Sequence, residues 1–163
     1  MLTKTSRADF PHPNPMACGY YVAQFLLRHR GSITWPEEPK SVLSILLHLD
    51  WTFPSKLQRM LLEHGQESEI ICFKDGGEGL TWVRHELKEG RPVALFVRAK
   101  PLHWIVVAGH HEGLDEFYVY DSRIGKGSSV PDLEIGNRLM SPAEVLDIWR
   151  GVPFFRWIGV GVK

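Results

Sequence analysis

His103-Trp104-Ile105-Val106-Val107-Ala108-Gly109 is followed, after six intervening residues, by Glu116-Phe117-Tyr118-Val119-Tyr120-Asp121. Both runs are rich in β-branched and aromatic residues. The second alternates, with Phe117, Val119 and Asp121 on one face and Tyr118 and Tyr120 on the other. Gly113 and Asp115-Glu116 between the runs suit a hairpin connection, so the two strands are expected to be antiparallel. Pro92 to Val97, just before them, is another β-rich run.

Upstream the texture is helical. Ala17 to about His29 places Tyr21, Val22, Phe25 and Leu26 on one face, and Gly31 stops the run. Val42 to Leu49 reads as a short helix. Another begins after Pro54, with Leu57, Met60 and Leu61 inward, Gly65 at its end and Thr52 as its cap. Glu69 to Phe73 reads as a strand, Gly76-Gly77 as a break, and Leu80 to about Lys88 as a further helix. Downstream, Ser122 to Gly136 is a loop rich in Gly, Ser and Pro. Ser141-Pro142-Ala143-Glu144 carries a capping box that opens a helix through Trp149. Phe155 to Val162 closes the chain as a strand. Helices first and strands second imply an α+β fold: N-terminal helices packed on a mostly antiparallel C-terminal sheet, in one domain spanning 1–163.

The 163 residues suit a single core, and 44% apolar with 23% charged is ordinary for a soluble globular chain. Nineteen acidic residues balance nineteen basic ones, so no basic excess asks for nucleic acid or an anionic membrane. Met1 to Arg7 lacks the apolar stretch of a signal peptide, and no apolar run approaches the ~20 residues that span a bilayer. The expected location is cytoplasmic, or secreted without a visible signal peptide. Oligomeric state has no signature here.

Two cysteines cannot make a disulfide framework. Cys72, inside Glu69-Ile70-Ile71-Cys72-Phe73, reads as a buried, inert thiol. Cys18 stands at the entrance of the first helix, where unpaired N–H groups and a partial positive charge favour a thiolate. Gly19 beside it leaves room for a substrate backbone. His103 opens a strand and exchanges protons near neutral pH. Asp121 closes the next strand, and hairpin pairing brings it towards His103, where a carboxylate would fix the imidazole tautomer. An oxyanion also needs donors: the Cys18 N–H, then Asn14, His12 or, less favoured, Gln24. Pro11, Pro13 and Pro15 stiffen the segment around Asn14. Trp104, next to His103, suits either a cleft wall or the core.

These residues resemble a known family. Asn14-Pro15-Met16-Ala17-Cys18-Gly19 ahead of an apolar helix is similar to the nucleophile motif of the bacteriocin-processing (double-glycine leader) peptidases, which are papain-like cysteine peptidases. His103 to Gly109 resembles their histidine motif, and Tyr118-Val119-Tyr120-Asp121-Ser122 their aspartate motif. Leu57 to Gly65, Leu87-Lys88-Glu89-Gly90-Arg91-Pro92-Val93 and Ser141 to Gly151 are similar to other parts of that family, so the likeness runs over roughly residues 10 to 162. It implies a papain-like fold and a thiol protease without cofactor, acting on a peptide or protein substrate through Cys18, His103 and Asp121. The chain departs from the pattern at His12, where the family usually has glutamine. The side-chain oxyanion donor then falls to Asn14 or His12. Two other readings share the fold: an inactive peptide-binding module, and an acyltransferase or amidase.

Other signals are set aside. Gly125-Lys126-Gly127-Ser128-Ser129 lacks the spacing of a phosphate loop. His103, His110 and His111 do not form a set with zinc-ligand spacing, so no metal is expected.

Overall fold

A computed structural model of the chain describes residues 17–34, 36–37, 52–98, 102–124, 135–150 and 157–163. Four helices and six strands lie among them: α1 (Cys18–His29), α2 (Pro54–Glu63), β1 (Ser68–Cys72), α3 (Gly76–Lys88), β2 (Val93–Val97), β3 (His103–His111), β4 (Glu116–Tyr120), β5 (Arg138–Met140), α4 (Pro142–Trp149) and β6 (Ile158–Val162). The strands make one open sheet in the order β1-β6-β2-β3-β4-β5. Every neighbouring pair is antiparallel. The α+β class read from the sequence holds. The reading did not foresee that the last strand inserts between β1 and β2.

Side chains on a strand alternate between faces, and the sheet uses both. Ala94, Phe96, Trp104, Val106, Tyr120, Ile158 and Val160 pack with Val22, Phe25 and Leu26 of α1 and with Leu57 and Leu61 of α2. Leu95, Ile105, Val107, Phe117 and Val119 pack with Val83 of α3 and with Val145 and Trp149 of α4. The result is three layers, with α1 and α2 on one side and α3 and α4 on the other. Gly159 and Gly161 leave the second face of β6 bare, and the ring of Trp82 lies there. A Cβ on Gly159 would come 2.6 Å from that ring.

Several local expectations are corrected. α3 starts at Gly76, not Leu80. Asp75 caps it by accepting the Glu78 N–H, and Glu78 in turn accepts the Lys74 N–H. The glycines are there for packing: a Cβ at Gly76 or Gly79 would strike Leu146 or Trp149. Thr52 does not cap α2. Phe53 holds that position without a side-chain bond, and Pro54 opens the helix. Cys72 is exposed, not buried. It ends β1, an edge strand whose residues are all at least partly exposed. The capping box at Ser141 and Glu144 forms as read. Val42 to Leu49 lies outside the described residues.

Candidate active site

Three chain ends converge at one edge of the core: the start of α1, the start of β3 and the end of β4. Cys18 is the first residue of α1. The Tyr20 and Tyr21 N–H groups both donate to the Ala17 carbonyl. By helix geometry, the Cys18 and Gly19 N–H groups have no acceptor within the helix. They are the donors a developing anion would meet.

His103 begins β3, paired with Val97 of β2. It is 1% exposed, which rules out the surface turn position that its flanking sequence also allows. Its Nε2 lies 2.7 Å from Asp121 Oδ1. The same carboxylate oxygen accepts the Arg123 N–H at 2.9 Å. His103 Nδ1 is buried and makes no well-formed hydrogen bond among the described residues. Cys18 lies near enough to the ring to raise its proton affinity, though no Sγ–Nδ1 hydrogen bond is formed. We read this as a loose Cys–His contact, since such bonds are commonly long before substrate binds.

The electrostatics follow from this placement. Burial pushes the His103 imidazole towards its neutral form. The Asp121 hydrogen bond, the Cys18 contact and both charges outweigh burial, so its pKa stands above the ordinary imidazole value. Burial would raise the Asp121 carboxyl, but the His103 bond, the His103 charge and the Arg123 N–H hold it below the usual range. The Asp121 carboxylate therefore stabilises the imidazolium that forms when His103 takes a proton.

Hairpin pairing alone would not have produced it. Near the turn, Gly109 pairs with Tyr118 and His111 with Glu116. Beyond the turn, Val107 pairs with Val119 and Val106 with Tyr120. Two residues of β3 thus oppose one of β4, and Ala108 is the extra residue of a β-bulge. Because facing alternates, one extra residue switches the face of everything beyond it. The bulge puts His103 on the face shared by Phe117, Val119 and Asp121. Without it, the turn's register would carry His103 to the opposite face from Asp121.

The other candidates fare differently. Gly19 offers no room for a substrate: a Cβ there would lie 2.2 Å from Thr52 Cβ, so that space belongs to Thr52. Trp104 is 1% exposed and is a core residue, not a cleft wall. Strand alternation turns it away from the His103 face, against Phe96, and its Nε1–H donates to the Thr52 carbonyl. Gln24 donates its amide to the Pro36 carbonyl at 3.0 Å. Asn14 and His12 lie outside the described residues. No cluster fit to hold a metal occurs among the described residues. No described helix is long and apolar enough to cross a membrane.

The sequence reading missed Asn137. It is 8% exposed. Its Oδ1 accepts the Asp121 N–H, and its Nδ2–H donates to the Asp121 carbonyl, both at 2.8 Å. The one local signal was a Gly-Asn pair ending a loop, which usually marks no more than a turn.

No family model matches this chain, and no curated protein matches it.

Proposed function

We propose that this chain is a papain-like cysteine hydrolase that cleaves peptide or amide bonds, of the kind typified by the bacteriocin-processing peptidases. The observation that carries the reading is the buried His103–Asp121 hydrogen bond of 2.7 Å with Cys18 acting on the same ring. A nucleophile near a base that is itself hydrogen-bonded to an orienting carboxylate is the arrangement that acyl transfer by this route needs.

The steps follow from the atoms. His103 Nδ1 takes the Cys18 thiol proton, and the thiolate attacks the substrate carbonyl carbon. The carbonyl oxygen becomes an oxyanion, held by the Cys18 N–H at the start of α1 and by a side-chain donor, Asn14 or His12. The imidazolium then gives its proton to the departing amine as the C–N bond breaks, leaving a thioester on Cys18. Water, deprotonated by His103, hydrolyses the thioester and restores the thiol. Asp121 stays ionised throughout, fixing the Nε2–H tautomer and stabilising the imidazolium.

The test is digestion of a mixed peptide library, read by mass spectrometry of new termini. The wild-type chain produces cleavages and Cys18→Ala produces none. Cleavage persisting in Cys18→Ala sinks the proposal.

A further inference from the structure

The clamp on Asp121 deepens that reading and rests on it. β4 ends at Tyr120, so Asp121 lies past the last rung of the β4–β5 ladder, which pairs Val119 with Arg138. One residue before β5, the Asn137 N–H still donates to the Val119 carbonyl at 2.9 Å. The side-chain amide of Asn137 then replaces the missing rung. Its oxygen takes the Asp121 N–H and its nitrogen serves the Asp121 carbonyl. An amide group carries both functions of a peptide unit, a donor and an acceptor in one plane. The chain reaches this position through Gly136, whose φ is +73° and where a Cβ would lie 2.5 Å from the Val119 carbonyl oxygen. Only glycine is compatible with both constraints.

With its backbone held on both sides, Asp121 has its side chain left for one task. Its Oδ1 meets His103 Nε2 and the Arg123 N–H. We infer that Asn137 is a positioning residue of the site, setting the Asp121 carboxylate on His103 through a two-point hold on the Asp121 peptide groups. It acts through Asp121 and touches no reacting atom.

The experiment uses the full chain and reads two quantities. One is the NMR titration of His103; the other is the iodoacetamide alkylation rate of Cys18, with exposed Cys72 as internal control. Asn137→Ala removes both side-chain bonds. It should move the His103 titration down, in the same direction as Asp121→Asn, and slow Cys18 alkylation by about 10- to 10²-fold, the scale of a 1 Å misplacement. Asn137→Ser is uncharged and too short to span both Asp121 groups, and should shift the titration the same way; it carries the test if the alanine variant does not fold. A folded Asn137 variant with the wild-type His103 titration overturns the positioning role. If Asp121→Asn itself leaves His103 unmoved, the Asp–His pair and the proposed function fail upstream of Asn137.

Discussion

The β3–β4 hairpin carries two histidine–aspartate pairs, one at each end. At the open end, His103 and Asp121 meet at 2.7 Å with side chains 1% and 15% exposed. At the turn, His110 and Asp115 meet at 2.9 Å with side chains 24% and 63% exposed. The contact distances are nearly the same, and the surroundings are not. Asp115 also receives Arg84 at 3.2 Å, and it occupies a positive φ of 48° in the turn, a conformation Asp tolerates. Solvent screens that pair, and its role is to shape the turn. The inner pair is screened far less. It sits beside a thiol and is held by a bulge, a glycine and an asparagine. Burial and support, not the contact itself, distinguish a candidate site from a surface ion pair.

The largest effect that separates the two ends should be on reactivity. His103→Ala should slow alkylation of Cys18 near pH 6.5 by about 10²-fold or more, the usual contribution of a positioned base. His110→Ala should leave the rate unchanged. Equal rates in the two variants would erase the distinction.

Stability comes next. Asp121→Ala removes the anion that stabilises the His103 imidazolium, the buried ring loses its proton, and the loss of a hydrogen bond to a charged group should cost roughly 1.5–3 kcal/mol. Urea denaturation measures it. Asp115→Asn should leave the midpoint close to wild type.

The support should respond separately from the pair. Gly136→Ala forces a Cβ against the Val119 carbonyl at a positive φ, and should cost about 2 kcal/mol. Gly19→Ala pushes into Thr52 and should cost on the order of 1–3 kcal/mol by overpacking. A stability unchanged in either would mean that the neighbouring chain gives way freely.

The smallest effect is the pH dependence of stability, and its sign differs for the two members of the inner pair. His103 is held above its ordinary value, so its contribution is full below an unfolded imidazole pKa of about 6.5 and is lost as pH rises through the higher folded value. Asp121 is held below its ordinary value, so its contribution is full above about 4 and is lost as pH falls through the lower folded value. The pair therefore contributes most between those limits. Asp121→Asn should flatten both limbs of the urea-midpoint profile. Asp115, also held low by His110 and Arg84, affects the acid limb alone.

Much of the chain was legible because the signals are local. The period of Tyr21, Val22, Phe25 and Leu26 marks a helix whether or not anything packs on it. The alternation through Phe117, Val119 and Asp121 marks a strand in the same way, and Ser141 with Glu144 forms its capping box within four residues. Errors came where a residue type has two uses. Gly76 read as a break, but it is a place where Leu146 and Trp157 need the space. Cys72 read as buried because its neighbours are apolar, yet β1 proved to be an edge.

The sequence by itself determined the α+β class, the order of the described elements other than the short strand β5, which it did not show, and the three residue types at Cys18, His103 and Asp121, each at an element end. Composition, periodicity and capping act over a few residues and are visible without contacts. Only the tertiary structure decided that β6 lies between β1 and β2, that Ala108 bulges so that His103 and Asp121 share a face, and that Asn137 takes the place of the missing rung beside Asp121. Each of these depends on partners distant in the chain or on a register set to one residue. A local pattern carries no record of either.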